Sequence, residues 1–180
     1  MSSTTLRRLL HASTAGILGV LILGSWSALR WSVTTIAALA VAVDTMRVLV
    51  PAVHAWLAAW LPVFRPREAH AWSGAAWLWV GYAIAIWMPA PAGAGAILAT
   101  ALADPTAATV GSYVGTAPKT WWGTGSHFFV GVACMSVLGW GMVPALAGAA
   151  LGSTLERWPG PFNDNLVAPV GVAAALWFLA

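Results

Sequence analysis

Charge is what this chain has least of. Only 7% of its 180 residues are Asp, Glu, Lys or Arg, where a soluble domain carries about a quarter. A wetted surface over most of the molecule is therefore excluded. Cysteine is nearly absent as well: Cys134 stands alone inside an apolar run, which rules out a disulfide framework and a Cys-based zinc site. The eight Lys and Arg form no clustered basic stripe, so there is no electrostatic footprint for nucleic acid. Acids are scarcer still, and they are Asp44, Glu68, Asp104, Glu156 and Asp164. In lipid a charge at mid-depth costs about 2.5–3.5 kcal/mol on insertion scales, so each of these needs a reason.

What fills the chain instead is apolar: 60% hydrophobic residues, 13 of the residues being tryptophan. Long apolar runs with so little charge belong to the integral-membrane class. At about 20 residues per crossing, the expected architecture is an all-α polytopic membrane bundle of about six or seven transmembrane helices, one domain over residues 1–180. The basic balance fits a membrane protein with its cations biased to the inner face. The N-terminus, with Arg7 and Arg8, is expected on the cytoplasmic side of the cytoplasmic membrane. The Met1–Leu29 stretch starts like a signal peptide, but its run is too long for a typical one and reads as a retained span.

Apolar runs and breakers predict the spans. The first covers Leu9–Leu29, and Arg30-Trp31 turns the chain into a second over about Ser32 to Met46. Pro51–Phe64, with Trp56 and Trp60, suits a short interfacial helix, and the polar island Arg65–His70 follows. A third span runs from about Ala71 to Met88 and stops at Pro89-Ala90-Pro91. The fourth, Ala92 to Ala103, ends at Asp104-Pro105, and Thr106–Ser126 is a semi-polar segment dotted with glycine. The fifth is His127–Leu138, with a turn at Gly139-Trp140-Gly141. The sixth is Met142 to about Leu155, the loop Glu156–Asn165 comes next, and the seventh is Leu166–Ala180.

Alternating the spans across a membrane brings every charged residue except Arg30 to one face. The positive-inside rule covers the cations but not the acids, which contribute little to topology. Asp104-Pro105 precedes small residues and glycines, which let backbone approach a bulky anion. Lys119, Thr120, Gly123 and Thr124 add a cation, two hydroxyls and free N–H groups before the fifth span, and helix N-termini favour phosphate. Glu156 with Asn163-Asp164-Asn165 is an all-oxygen set suited to Mg²⁺. Asp44 and Arg47 are three apart and can pair on one helical face, as can Arg65 and Glu68. His54 and His70 read as interfacial, whereas His127, beside the motif, is more open.

These residues resemble, in order and over nearly the whole chain, the CTP-dependent lipid-alcohol kinases: dolichol kinase, phytol and farnesol kinases, and the yeast-type diacylglycerol kinase. That family's Gly-Asp-Pro-x-Ala-Ala-x-x-Gly stretch is echoed by Ala103-Asp104-Pro105-Thr106-Ala107-Ala108-Thr109-Val110-Gly111. Its Lys-Ser/Thr-x-Glu-Gly-Ser/Thr element is echoed by Lys119-Thr120-Trp121-Trp122-Gly123-Thr124. Its closing Glu and Asp-Asp-Asn-Leu-x-x-Pro are echoed by Glu156 and Asn163–Pro169. Arg7-Arg8-Leu9-Leu10-His11 resembles the family's opening, and Asp44, Arg47, Arg65, Glu68 and Gly74 its middle elements.

The resemblance implies CTP as phosphoryl donor, Mg²⁺, and a lipid alcohol as acceptor. It implies Gly111, Lys119, Thr120, Gly123 and Thr124 on the nucleotide, and Asp104, Glu156, Asp164 and Asn165 on the metal. Asp104, Lys119 and Asp164 are then the catalytic candidates, with Arg8, His11, Asp44, Arg47, Arg65 and Glu68 at the substrate mouth. Trp122 and Asn163 depart from the pattern, each standing where the family has an acid. A degenerate, non-catalytic homologue is therefore an alternative. Pro118-Lys119-Thr120-Trp121-x-Gly123 also resembles phosphatidate cytidylyltransferases, whose closing motif is missing. A small scaffold or transporter-like bundle is the non-enzyme reading, although the two halves show no repeat.

Overall fold

The computed structural model describes residues 3–19, 24–61, 63–115 and 119–180. Among the described residues there are eight α-helices and no strand: α1 Ser3–Ser13, α2 Trp26–Leu49, α3 Pro51–Trp60, α4 Gly74–Ile86, α5 Ala90–Val114, α6 Trp121–Val137, α7 Met142–Arg157 and α8 Asp164–Phe178. All-α therefore holds. The helix starts follow capping chemistry. Ser25, Ser73 and Thr120 each accept from a backbone N–H three residues on, and Asn163 accepts from Asn165 N–H, satisfying donors that have no partner inside the helix. Proline stands in the first turn of α3 and α5, where its missing N–H costs nothing. Gly139, at φ +83°, supplies the left-handed turn between α6 and α7.

Among the described residues one helix, α2, is long and apolar enough to cross a membrane. Its 24 residues extend about 36 Å at about 1.5 Å per residue, against a hydrocarbon core of about 30 Å. α4 and α8 are apolar but shorter.

Three expected boundaries move. The Leu9–Leu29 run is not one helix: α1 ends at Ser13, a 3₁₀ turn covers Thr14–Leu18, and Ser25 caps a new start. Residues 20–23 of that run lie outside the described residues. With 11 residues α1 is too short to span a bilayer. Arg30-Trp31 is not a turn but the second turn of α2. Arg30 donates to the Ile86 and Met88 carbonyls at 3.3 and 3.4 Å, closing the end of α4, and lies over the Trp26 and Trp87 rings.

The third shift matters most for the site. α5 does not stop at Asp104-Pro105 but continues to Val114. A proline in a helix interior costs about 3 kcal/mol, so packing on both sides of it has to dominate. Ala99, Ala101, Ala103 and Ala107 are all buried, and the Thr106 and Thr109 hydroxyls donate to carbonyls one turn back at 2.7 Å. Local breaker chemistry gives way to tertiary contact.

Small residues make up much of one part of the interior, while a second cluster packs Leu29, Val33, Leu78, Tyr82, Ile86 and Ile97. One buried cluster joins Ala85, Ala92, Ala96 and Ala99 to Ala145, Ala149, Val172, Ala173 and Leu176, tying α4, α5, α7 and α8 together. Backbones approach closely where glycine permits it: a Cβ at Gly81 would stand 2.7 Å from the Asn165 carbonyl oxygen and 2.8 Å from Pro169 Cγ. Gly81→Ala is therefore expected to destabilise by about 1–3 kcal/mol through overpacking. Unfolding in detergent micelles measures this, and wild-type stability would contradict the close α4–α8 contact. Other large apolar side chains face outward, among them Leu49, Val137 and Phe178 at 73, 82 and 79% exposure.

Candidate functional site

A cavity of about 830 Å³ opens where α1, the second half of α5, the start of α6, the end of α7 and the start of α8 meet. α5 reaches it only because it runs through Pro105: Asp104, Ala107, Ala108, Gly111 and Ser112 are successive turns of one helix face along its wall. Arg7, Arg8 and His11 enter from α1, and Arg65 from the segment before α4. Lys119, Thr120, Gly123 and Thr124 form another side, and Glu156, Asp164 and Asn165 the last. Every expected nucleotide and metal residue thus lines one cavity, together with Arg8, His11 and Arg65 from the expected mouth.

Within it the acids form two separate groups. Asp104 faces two histidines: His127 Nε2 is 2.7 Å from its Oδ1 and His11 Nε2 is 3.6 Å from its Oδ2. Burial pushes the His11 imidazole below its ordinary pKa, and the Asp104 and Asp164 carboxylates only partly oppose it. It is neutral at pH 7, and its buried Nε2 has no hydrogen-bond partner. Glu156 and Asp164 instead grip Lys119. Its ammonium stands 2.8 Å from Glu156 Oε1 and 2.7 Å from Asp164 Oδ2, and it also donates to the Glu156 backbone carbonyl. Burial alone would lower the Lys119 pKa, but the Asp164 and Glu156 carboxylates outweigh it, and the net shift is upward. The ammonium stays charged.

That clasp bears directly on the expected metal centre. The position between Glu156 and Asp164 is held by Lys119, and Asp104 is turned toward two histidines. Among the described residues no three His, Cys, Asp or Glu side chains converge to hold a metal ion. As arranged, the Glu156 and Asp164 carboxylates neutralise Lys119.

The glycines also have a packing use. A Cβ at Gly123 would stand 2.8 Å from the Ala107 carbonyl oxygen, and one at Gly111 3.1 Å from Thr120 Oγ1. They line the cavity, and their small size also serves the close approach of α5 and α6. Thr120 Oγ1 caps α6 through Gly123 N–H, and Thr124 Oγ1 accepts from Arg157 at 3.1 Å. Arg157, absent from the expected set, lies over Trp121 at 3.9 Å and Trp158 at 5.1 Å.

Three residues expected at the mouth, Asp44, Arg47 and Glu68, do not line this cavity. Arg47 and Asp44 are buried and line no part of this cavity. Arg47 Nε donates to Asp44 Oδ1 at 2.5 Å, and its terminal nitrogens donate to the Glu68 and Ala71 carbonyls at 2.8 and 2.7 Å. Asp44 Oδ2 accepts from Ser73 N–H at 2.5 Å. The pair clamps the segment before α4 onto α2, a structural task that the i, i+3 spacing allowed. Glu68 accepts from Arg65 N–H and Gly74 N–H and lines a smaller neighbouring cavity.

The departures from the family pattern also find places. Trp122 is 69% exposed and lines neither cavity. Asn163 caps α8, a task an aspartate would perform equally well. Pro118, part of the cytidylyltransferase-like element, lies outside the described residues. His127 is the functional candidate that the sequence reading left open. Its signal is an ionisable side chain one turn after Gly123, on the α6 face that meets α5.

Comparison with protein-family models, with curated proteins and with solved structures gives no significant match.

Proposed function

We propose that the chain is a membrane-embedded transferase that moves the γ-phosphoryl group of CTP to the hydroxyl of a lipid alcohol. The observation that carries this reading is the make-up of the larger cavity. Arg7, Arg8 and Arg65 line it beside the N-terminus of α6, and a part-buried carboxylate, Asp104, lines it too, with a histidine at hydrogen-bond distance. Arginine side chains and a helix N-terminus suit the phosphates of a nucleotide. The reading places the chain as a polytopic bundle in the cytoplasmic membrane with the cavity toward the cytoplasm; α2, the outward-facing large apolar residues and the small-residue helix contacts support a membrane setting.

Phosphoryl transfer asks for positioning and charge neutralisation more than for covalent help. Arg7, Arg8 and Arg65 pair with the donor's phosphate oxygens. The lipid hydroxyl sits against Asp104, which takes its proton as the oxygen attacks the γ-phosphorus. The bond from that phosphorus to the β-bridging oxygen breaks, and CDP leaves with the electron pair. His127 holds the Asp104 carboxylate in position from the α6 side. Lys119 keeps Glu156 and Asp164 neutralised and fixes the ends of α7 and α8 against the segment that opens α6.

The test is purified protein in detergent with CTP labelled at the α or the γ phosphate and a panel of lipid alcohols. Lipid carrying γ label supports the reading. Lipid carrying α label turns it into cytidylyl transfer, and no transfer by folded protein overturns it in favour of a degenerate homologue or scaffold. Within this reading Trp122→Glu is expected to leave the rate within about twofold, because exposed substitutions typically change energies by only about 0.5 kcal/mol. A large gain in γ-label transfer would show that position 122 acts in the site.

A further inference from the structure

A second cavity, about 430 Å³ in volume, lies between α1, the segment before α4, and α4 itself. Its walls are largely apolar: Leu10 and Ile17 on one side, Val63 and Phe64 on another, Leu78 and Trp79 on the third. It shares Arg7, His11 and Asn165 with the polar cavity, so the two adjoin at those side chains. His11 Nε2, buried and without a hydrogen-bond partner, stands 3.6 Å from Asp104 at this junction. Asn165 donates to the Gly74 carbonyl at 3.0 Å, and a Cβ at Gly74 would collide with Asn165 Nδ2 at 2.7 Å, which holds the amide at the junction.

From this juxtaposition we infer that the smaller cavity is the acceptor site, and that it takes a single-chain long alcohol rather than a two-chain lipid. The inference rests on the phosphoryl-transfer reading of the larger cavity. An occupant must be apolar along one end and polar at the other. The polar end must suit a neutral imidazole acceptor or donor and a carboxylate, which a hydroxyl does by donating and accepting at once. Its volume, about 430 Å³, lies in the lower part of the roughly 300–1,000 Å³ range of pockets that hold one small ligand. That matches one unbranched or prenyl tail, whereas a two-chain lipid would have to leave one chain outside. Length beyond this leaves the groove alongside Leu10, which is 48% exposed.

The experiment uses the full chain in detergent and a photoreactive farnesol analogue, with nucleotide binding followed separately by a fluorescent CTP analogue. Label is expected in the peptides that carry Leu10–Ile17 and Ala75–Trp79, displaced by excess farnesol and not by diacylglycerol. Ala75→Trp fills the groove from a solvent-exposed helix position and is expected to lower labelling about tenfold, equivalent to about 1.4 kcal/mol, with nucleotide binding unchanged. Leu10→Gln, also at an exposed position, should lower it in the same direction should Ala75→Trp fold poorly. Label elsewhere, equal displacement by diacylglycerol, or full labelling in folded Ala75→Trp overturns the inference. Transfer of γ label to lipid with an unlabelled groove sinks the groove alone. A labelled groove with no transfer from any nucleotide sinks the kinase reading and the acceptor role, and leaves a lipid site.

Discussion

Asp104→Asn is expected to lower γ-phosphoryl transfer at least about a hundredfold, the scale of a lost electrostatic contact in a transition state. The substitution keeps the size of the side chain and its hydrogen bond toward His127, 2.7 Å away, so the fold and the cavity wall should persist. What disappears is the ability to accept a proton from the incoming hydroxyl. The loss should therefore fall on kcat. The KM for the alcohol and the binding of the CTP analogue should stay close to wild type, since Arg7, Arg8 and Arg65 are untouched. A variant within threefold of wild-type kcat would remove Asp104 from the mechanism. Weakened nucleotide binding at unchanged kcat would instead give the residue a role in holding the donor.

The second large effect is on stability and comes from a residue outside the cavity. Arg47→Ala is expected to destabilise the protein by about 3–5 kcal/mol, the range for deleting one partner of a buried pair. Arg47 is 1% exposed and makes bonds to Asp44, to two backbone carbonyls and, at 3.3 Å, to His54 Nδ1, while lying 4.6 Å over the Phe64 ring. Removing it strands a buried carboxylate and two carbonyls together. Denaturant unfolding in micelles measures the loss. The double variant Asp44→Asn with Arg47→Met should recover part of it, because the stranded charge goes too. Equal stability of Arg47→Ala and wild type would mean the clamp is ornamental. Activity per folded molecule should change much less than in Asp104→Asn, since neither Asp44 nor Arg47 lines the polar cavity.

Both predictions show where the sequence was legible. Apart from the far end of α5, apolar runs and their breakers marked the helices α2 to α8 to within several residues, and serine, threonine and proline chemistry explains many of their starts. The failures share one cause. Asp104-Pro105 reads as a stop and Arg30-Trp31 as a turn when only neighbours in sequence are considered. Tertiary contacts override both: alanines buried on either side of Pro105, and the open carbonyls at the end of α4 that Arg30 closes. Local rules have no term for a partner 56 residues away.

The site was legible in its membership more than in its grouping. Asp104, Lys119, Glu156 and Asp164 do reach one cavity, but which acid faces which cation is a three-dimensional fact. Lys119 between two carboxylates, and Asp104 between two histidines from different helices, cannot be read from spacing. Asp44 and Arg47 show the converse. Their i, i+3 spacing suffices for a pair, and the structure shows that pair, with further bonds that tie it to the segment before α4. His127 was visible as an ionisable residue in an apolar helix, yet only the α5–α6 packing gives it a partner.

A core cluster built mostly of alanine, under a jacket of leucine, tryptophan and phenylalanine, shifts the usual map of mutational tolerance. In most soluble proteins the bulky apolar positions are the fragile ones. Here Leu49, Val137 and Phe178 have open surroundings, whereas Ala96, Ala145 and Ala173 are fully enclosed and Gly81 has backbone within 3 Å of where a Cβ would be. A saturation library scored for folding should therefore show silent positions among the exposed large residues, and lethal ones among the enclosed alanines and glycines as well as at buried large residues such as Tyr82 and Ile97. Variation accumulated over generations would then erode the exposed apolar positions and leave the enclosed small residues among the lasting signatures of the fold.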